Sequence, residues 1–358
     1  MVFVLCSLFL IVCFLFYTGQ GIYLAKNSSG QEEVFLIKKG ESIREIAAKL
    51  ESQNLIKNDF FFLFYSFLGG DSRKLQAGEY LVSSSQNIPE ITRKFVKGEV
   101  IKEKITVVEG WNLRDIGWYF ENNGIFQAEE ILELVGFPGK DFSNEFNFLE
   151  DKPKNLGLEG YLFPDTYEID KEEGVEEVIR KMLRNFDRKL TLDLREEIEK
   201  QGKTIFEIVT MASLLEKEVK TKEDKEIVSG ILWKRLENNI SLQVDATITY
   251  ILRYKTTNPE GVAPRPYGAR ISKEDLQIDS PYNTYKYRGL PLGPICNPGL
   301  DSILAAIYPE SSEFWYYLSP WVAELRSSPA SLRSAEDEGT IFSETLEKHN
   351  IAKEKYLR

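Results

Sequence analysis

The segment 202–219 places one carboxylate where proton-transfer chemistry is favoured. Thr204 and Glu207 have the spacing of a capping box, in which each side chain bonds a backbone NH group of the first turn, so the spacing predicts a helix that starts there. At roughly 100° per residue, Glu216 falls on the same apolar face as Val209 and Ala212. An apolar setting disfavours the charged form of a carboxyl group, so such a group can serve as a general acid near neutral pH.

Two interpretations of Glu216 stay open from the residues alone. In the first it is a catalytic acid, and in the second it forms a structural ion pair with a basic side chain. Lys217 and Glu218 are predicted to point away from the apolar face, toward the charged run 220–225. We therefore expect Glu218 to be solvated and Glu216 to be half-buried.

The composition narrows the chemistry that the chain can support. Its 358 residues include 45 basic and 56 acidic side chains, and the net charge of -11 argues against binding nucleic acid through phosphates. One histidine, His349, and three cysteines argue against a His-rich or Cys-rich metal site, an intradomain disulfide and a Ser-His-Asp triad. The sequence contains no nucleotide-binding glycine motif. We therefore expect no metal and no cofactor, and catalysis that runs on carboxylates, hydroxyls and amides.

Two segments present polar groups that could face a cleft. Segment 157–167 combines glycines, a proline and aromatic rings, and its Glu159 and Tyr161 could contact a sugar, although such segments more often only turn the chain. Segment 242–250 alternates in polarity, which predicts a strand with Gln243, Asp245 and Thr247 on one side. That side would face either a cleft or solvent.

The segment 280–299 is predicted to be a long ordered loop. Its prolines and glycines exclude a regular helix, while Asn283, Tyr285 and Asn297 supply neutral polar groups. Long ordered loops of this kind are more often functional than not, so we treat these three residues as candidate binding groups.

Segment 1–25 carries no charged side chain and is almost wholly apolar from Val2 to Tyr17. Its length approaches that needed to cross a hydrocarbon core of roughly 30 Å. We predict an uncleaved membrane anchor rather than a signal peptide, because no basic residue precedes the apolar run and no clear cleavage site follows. The first basic residue, Lys26, leaves the orientation unresolved by charge alone.

A strand–turn–helix unit occurs twice in the chain. A strand at 34–37, a turn containing Gly40 and a helix capped by Ser42 are matched by a strand at 105–108, a turn containing Gly110 and a helix capped by Asn112. The pattern indicates a duplicated unit. The remaining periodicities predict an aromatic core helix at 59–65, strands at 76–82 and 314–318, and helices at 175–186, 190–200, 227–236, 300–308 and 343–356.

Several of these motifs, taken in order, resemble the endolytic murein transglycosylases of the MltG (YceG-like) family. The matching segments are Glu159-Gly-Tyr-Leu-Phe-Pro-Asp-Thr-Tyr167, Ala212-Ser-Leu-Leu-Glu-Lys-Glu218, Leu242-Gln-Val-Asp245, Ser280-Pro-Tyr-Asn-Thr-Tyr285, Gly289-Leu-Pro and Asn297-Pro-Gly299. The resemblance covers nearly the whole chain. Two departures occur near the end, where Thr340 replaces the family's usual histidine and Lys348 interrupts a Glu-His-Asn pattern.

The resemblance implies an α+β architecture in four parts. Residues 1–25 would form the transmembrane anchor, 26–33 a linker, 34–102 a LysM-like βα module, and 103–358 a larger mixed α+β catalytic domain. The catalytic domain would lie outside the cytoplasm, held at the cell membrane by a single span. Peptidoglycan glycan strands would be the substrate, and peptidoglycan synthases are the protein partners that the resemblance suggests.

The resemblance also assigns Glu216 as the catalytic residue. As an acid it would protonate the glycosidic oxygen between N-acetylmuramic acid and N-acetylglucosamine, and as a base it would accept the proton of the muramoyl C6 hydroxyl, which closes a 1,6-anhydro ring. Cleavage inside strands would terminate or trim nascent glycan. The candidate substrate-binding residues are Gln243, Asp245, Asn283, Tyr285, Asn297, Glu159 and Tyr161.

Two other classes of protein remain open. A water-using muramidase would activate water with Asp245 or Glu218 and leave a reducing end. A noncatalytic peptidoglycan-binding scaffold would keep the LysM-like module and tolerate loss of Glu216. The chemistry of the product ends separates these alternatives.

Overall fold

The structure is a computed structural model that describes residues 2–170, 173–255, 271–319 and 339–356. The ranges 256–270 and 320–338, which belong to the predicted catalytic domain, lie outside the described residues, as does Met1 of the predicted anchor. The fold mixes helices with three two-stranded sheets. The chain forms two compact units, one of residues 1–105 with 168–174 and the other of residues 106–167 with 175–358.

The first unit is built on one antiparallel strand pair. Its elements are α1 (Val2–Tyr23), β1 (Glu32–Ile37), α2 (Ile43–Ser52), α3 (Asp59–Leu68), β2 (Gly78–Ser83) and α4 (Ile88–Lys97). In the β1–β2 register Phe35 lies opposite Tyr80, and both side chains are fully buried with Phe62 and Phe95. This aromatic cluster forms the core of the unit.

The second strand pair joins β3 (Lys102–Thr106) and β4 (Thr166–Asp170). The helices that follow β3 are α5 (Leu113–Asn122) and α6 (Ala128–Val135). Asn112 caps α5 by a capping box with Asp115, as Ser42 caps α2 with Glu45.

The second unit is organised around a nearly encased helix. Its further helices are α7 (Val175–Lys189), α8 (Leu192–Lys200), α9 (Ile205–Glu218), α10 (Lys222–Glu237), α11 (Asp245–Lys255) and α12 (Leu300–Ile307). Helix α9 packs against α8, α10, α11 and α12, and the eight consecutive residues from Ile208 to Leu215 are buried. A helix apolar on all sides is stable only when it is surrounded in this way.

The end of the chain forms a small antiparallel pair with a helix packed against it. Strand β5 (Tyr316–Leu318) pairs with β6 (Ile341–Ser343), and α13 (Leu346–Tyr356) contacts both strands. The imidazole of His349 stacks on Tyr316 with ring centroids 5.3 Å apart. Burial and the charges of Lys353 and Arg235 lower the pKa of His349 to about 4.

Two predictions about secondary structure were wrong. The segment 242–250 is not a strand, because helix α11 begins at Asp245 and Gln243 has a left-handed backbone with φ of 55°. Thr247 therefore does not share a polar face with them, and its side chain is fully buried, where it donates to the Val244 carbonyl. The closing helix begins at Leu346 because the preceding residues form β6. The LysM-like character of residues 34–102 stays a prediction.

Candidate active site

Helix α9 carries Glu216 in its last turn. The helix starts at a capping box in which the Glu207 amide donates to Thr204 Oγ1 at 3.1 Å and the Thr204 amide donates to Glu207 Oε2 at 2.8 Å. The Thr204 cap therefore fixes the start of the helix as the sequence predicts. The Glu216 side chain is 10% exposed, so it lies at the edge of the buried surface.

The two oxygens of Glu216 have different surroundings. Oε2 accepts hydrogen bonds from the Gly299 amide at 3.1 Å and from Ser302 Oγ at 2.6 Å, both at the start of α12. The ammonium group of Lys225, which is 6% exposed, lies 3.2 Å from the same oxygen. Among the described residues Oε1 accepts no hydrogen bond, so it is the oxygen left for exchanging a proton with a ligand.

These contacts change the expected environment of Glu216. The prediction of an apolar setting was incomplete, because three donors converge on one oxygen and the ion pair that the sequence left as an alternative is present. The first turn of α12 and Lys225 together provide a positive environment on this side of the carboxylate. The ion pair engages Oε2 alone, so Oε1 stays available for contact with a ligand.

A second carboxylate lies beside Glu216 on the other side of Gly299. Glu109 is solvent-exposed, and any Cβ atom at Gly299 would collide with its carboxylate. Among the described residues the Glu109 side chain makes no hydrogen bond and no ion pair. Partial desolvation raises the pKa of Glu109, as do the negative charges of Glu216 and, to a smaller extent, Asp301, while the positive charge of Lys225 lowers it.

Asn297 locks the turn that carries Glu109 against the α12 loop. The Gly110 amide donates to the Asn297 carbonyl at 2.9 Å, and the Asn297 amide donates to the Trp111 carbonyl at 2.8 Å. The Asn297 side chain donates to the same carbonyl at 2.9 Å and accepts from the Leu162 amide at 2.9 Å. Asn297 is fully buried, so it positions the site.

Ser213, one turn before Glu216 on α9, also binds the loop that leads into α12. Its hydroxyl accepts a hydrogen bond from the Ile295 amide at 3.0 Å, and its carbonyl accepts one from the Cys296 thiol at 3.4 Å. The loop is therefore fixed to α9 at two points, through Ser213 and through Glu216.

Glu218 is not solvated, contrary to the prediction. Its side chain is buried, with the residue 7% exposed, and one carboxylate oxygen accepts a hydrogen bond from Tyr317 Oη at 3.1 Å. Burial and the adjacent Glu218 raise the pKa of Tyr317, so the phenol remains a donor. The prediction failed because strand β5, which covers this side of α9, comes from a distant part of the sequence.

Two of the predicted binding residues form a pair at the start of α11. Tyr285 Oη donates a hydrogen bond to Asp245 Oδ1. Gln243 is exposed just before this helix, and its backbone amide donates to the Thr284 carbonyl at 3.1 Å. The structure thus brings Gln243, Asp245 and Tyr285 into one neighbourhood in which the side chain of Gln243 is exposed.

Asn283 organises the loop. Its amide nitrogen donates to the carbonyls of Leu276 and Ile278 at 3.0 and 2.8 Å, and its oxygen accepts from the amides of Tyr285 and Lys286 at 2.9 and 3.2 Å. The side chain is fully buried. With both polar atoms engaged by backbone, Asn283 can shape a binding surface more readily than contact a ligand.

Glu159 and Tyr161 are interior residues. Glu159 is 7% exposed and accepts hydrogen bonds from the Leu113 amide at the start of α5 and from Tyr250 Oη at 3.3 Å. Tyr161 is fully buried between the rings of Phe148 and Phe186. Burial raises the pKa of Tyr161. Of the two interpretations given for this segment, its structural role is the one that the contacts support.

Sequence patterns missed three residues around Glu216. Lys225 belongs to the charged run 220–225, to which we assigned no role, and Ser302 lies in an ordinary apolar helix. Glu109 lies in the turn of the second strand–turn–helix unit. The repetition of this unit is the sequence feature that could have drawn attention to Glu109 as a site residue. The described residues contain no group of three or more His, Cys, Asp or Glu side chains that could hold a metal ion.

Thr340 occupies the position where the resemblance leads one to expect histidine. Its hydroxyl donates to Asp224 Oδ2 at 2.8 Å, near the start of α10. The threonine therefore tethers β6 to the helix that supplies Lys225.

Comparison with known proteins gives a consistent result. The model of the YceG-like family matches residues 35–355. A curated Bacillus subtilis protein named endolytic murein transglycosylase is 30% identical over 336 residues, which is 90% of this chain and 84% of that protein. A Streptococcus pneumoniae protein of the same name is 31% identical over 310 residues, and there the match covers only 53% of the relative. The crystal structure of a putative YceG-like protein from Listeria monocytogenes matches 90% of this chain with 29% identity and a TM-score of 0.56.

Proposed function

Because this chain belongs to the YceG-like family, we propose that it is an endolytic murein transglycosylase, a lyase that cuts peptidoglycan strands between N-acetylmuramic acid and N-acetylglucosamine. The observation that carries this proposal is the environment of Glu216. One oxygen is held by three donors and the other accepts no hydrogen bond from the described residues, so the carboxyl group has a fixed orientation and one atom for proton exchange.

In the proposed reaction Glu216 acts twice through Oε1. It first gives a proton to the glycosidic oxygen, the bond from that oxygen to the muramoyl C1 breaks, and positive charge develops at C1. The C6 hydroxyl oxygen of the same sugar then bonds to C1, and its proton returns to Glu216. The product is a 1,6-anhydro end, no water is consumed, and the enzyme regains its starting protonation state.

Glu109 completes the proposed site as a stabiliser of positive charge. A carboxylate beside C1 stabilises an oxocarbenium-like transition state electrostatically. Glu109 meets the requirement because it is exposed, lies beside Glu216 across Gly299, and has no ion pair among the described residues. Asn297 restrains the turn that carries it, so little reorganisation is needed during the reaction.

We assign the substrate-binding role chiefly to the neighbourhood of α11. Gln243 offers an exposed amide, and the Asp245–Tyr285 pair offers two partly exposed polar groups. Asn283 and Asn297 would hold the loop that forms the binding surface in place. Glu159 and Tyr161 would stabilise the surrounding fold without contacting the substrate.

We also propose that α1 anchors the protein in the cell membrane, with both units outside the cytoplasm. The span Val4–Tyr23 has 20 residues and a mean hydropathy of 1.9, and most of it is exposed. A signal sequence has the same length and composition but is cleaved from the mature protein, whereas our proposal requires that α1 is retained. The 34–102 module would bind glycan in a LysM-like manner, and peptidoglycan synthases would be the protein partners.

The product ends test this function. Purified glycan strands are digested with the full chain in water enriched in ¹⁸O and then analysed by mass spectrometry. A transglycosylase gives anhydro ends without the heavy isotope. Reducing ends that incorporate ¹⁸O at C1 during cleavage would identify a muramidase instead, and unchanged strands would identify a noncatalytic binding protein.

A further inference from the structure

Helix α3 exposes an apolar stripe in the first unit. Phe60, Phe64, Phe67 and Leu68 follow the i, i+4, i+7, i+8 spacing of a single helix face. Three of these side chains are largely exposed, Phe60 at 44%, Phe67 at 77% and Leu68 at 67%. Phe62 and Ser66 lie on the opposite face and are buried, and Phe61, at the edge of the stripe, is buried as well. Within the stripe Phe64 is half-buried by packing on the core of the unit, whereas Phe60, Phe67 and Leu68 are exposed.

Helix α1 packs directly on α3. The ring of Phe14 meets Phe64 edge-on at 6.5 Å, and the ring of Tyr17 meets Phe61 edge-on at 5.4 Å. Gly21 lets the two helices approach closely, since a Cβ atom there would come within 2.5 Å of the Phe61 ring. Thr18 and Ile22 complete the buried side of α1, whereas residues 4–17 are exposed.

The length of α1 indicates how deep in a bilayer its contacts with α3 would lie. The apolar span Val4–Tyr23 has 20 residues, which at 1.5 Å per residue gives about 30 Å, the thickness of the hydrocarbon core. The contacts with α3 begin at Phe14, in the middle of that span. If the whole apolar span of α1 crosses the bilayer, the half that starts at Phe14 lies in one leaflet. Because α3 packs on this half of α1, α3 then lies in the same leaflet.

From this geometry we propose that α3 lies in the membrane beside α1, with the stripe of Phe60, Phe64, Phe67 and Leu68 against lipid. The inference rests on the proposed anchoring by α1 and extends it from one helix to two. Exposure of a large apolar side chain to water is unfavourable, whereas its contact with lipid hydrocarbon is not. Contact with lipid therefore explains why Phe67 and Leu68 can stay uncovered by protein.

The surroundings of α3 fit a membrane interface. Lys57 precedes the helix, Arg73 and Lys74 follow it, and all three are exposed; Lys74 also forms a salt bridge with Asp71 at 3.0 Å. Basic side chains at the ends of an embedded helix reach the headgroup layer and favour anionic lipids. The ends of α3 are capped, since the Phe60 amide donates to Asn58 Oδ1 at 3.1 Å and the Gly69 amide donates to the Tyr65 carbonyl at 2.9 Å, which lowers the cost of placing these ends in lipid.

Spin-label accessibility tests the inference on the full chain in phospholipid vesicles. Cys6 and Cys13 are changed to Ser and Cys296 to Ala, and a nitroxide is then attached at one new cysteine at a time. Phe67→Cys reports the stripe and Phe9→Cys reports α1. Val34→Cys, exposed on β1 of the same unit, is the matched aqueous control. Collision with oxygen, which concentrates in lipid, is compared with collision with a water-soluble nickel complex.

We expect the oxygen-to-nickel collision ratio at position 67 to match that at position 9 and to exceed that at position 34. A lipid value at position 9 with an aqueous value at position 67 overturns the inference and leaves the anchor intact. Aqueous values at both positions overturn the anchor as well. Protection of position 67 from both collision partners means that protein, rather than lipid, covers the stripe. Leu68→Cys repeats the measurement if Phe67→Cys disturbs the fold.

Discussion

Glu216 and Glu218 lie two residues apart on α9, yet they meet different partners. Glu216 faces the start of α12, where backbone, hydroxyl and ammonium donors hold one of its oxygens. Glu218 is buried against Tyr317 of β5. The difference follows from what covers each side of the helix. Sequence periodicity predicted a half-buried Glu216 and a solvated Glu218, but it could not reveal Lys225 or Tyr317, which reach α9 through tertiary packing.

The ion pair between Glu216 and Lys225 gives a stability prediction. Glu216→Gln leaves a 6% exposed ammonium group without its counterion, so we expect the free energy of unfolding to fall by about 3 kcal/mol. The double variant Glu216→Gln with Lys225→Met removes both charges and should recover most of that loss. Chemical denaturation of the three proteins measures the effect. A single variant as stable as the wild type would contradict the buried pair.

Glu109→Gln tests the second carboxylate. Removing the negative charge should lower kcat by about 10- to 100-fold, because the stabilisation of positive charge at C1 is lost. The pKa of Glu109 is raised, first by desolvation and then by the negative charge of Glu216, so protonation of Glu109 should contribute to the acid limb of the pH–rate profile, and that contribution should disappear in the variant. The charges that face Glu109 are Glu216, Lys225 and Asp301.

The matched control for Glu109 is Glu130→Gln, an exposed carboxylate on α6. It removes the same charge at a residue outside the proposed site and should leave both rate and profile unchanged. If Glu109→Gln keeps the wild-type rate and pH profile, Glu109 has no part in the reaction.

Helix starts with a local capping box were predicted correctly, whereas a segment predicted from alternating polarity was not. The helices that start at Ser42, Asn112 and Thr204 begin where their capping boxes place them, because those bonds are local. The segment 242–250 alternates like a strand but forms the start of α11, since its amides bond Thr284 of a distant loop instead of a neighbouring strand. The contacts of Asn297 could not be predicted either, because its side chain binds the backbone of Trp111 and Leu162, which are distant in the sequence.

The element α13 gives a pH prediction through His349. The pKa of this group is lowered to about 4 in the folded state, below its ordinary value near 6.5, so the unfolded chain binds the proton more tightly. Stability should therefore be complete above pH 6.5 and decrease as the pH falls toward 4. We expect a loss on the order of 1 kcal/mol, because nearby solvent screens the charge. His349→Phe should keep the stacking on Tyr316 and flatten the dependence.

Thermal unfolding measured from pH 4 to pH 7 checks this prediction on both proteins. If the two show the same slope over this range, His349 does not control the acid sensitivity.

At the scale of the whole molecule, one unit carries the apolar helix α1 that we propose as a membrane anchor, and the other carries the proposed chemistry. The anchor proposal requires that the mature protein keep α1. We therefore expect the intact mass of the protein extracted from membranes to include the span Val4–Tyr23. A mature N-terminus near Gly21 would show that α1 is a signal sequence, and the placement of α3 in lipid would fail with it.

The central claim is that Glu216 is the acid and base of a lytic transglycosylase. The most direct measurement is the initial rate at which anhydro ends appear when glycan strands are incubated with the wild type, Glu216→Gln or Glu218→Gln, with the folded fraction of each checked by circular dichroism. We predict that Glu216→Gln lowers this rate by a factor on the order of 10² to 10⁴ and that Glu218→Gln retains most of it. A folded Glu216→Gln variant that releases anhydro ends at the wild-type rate would contradict the account.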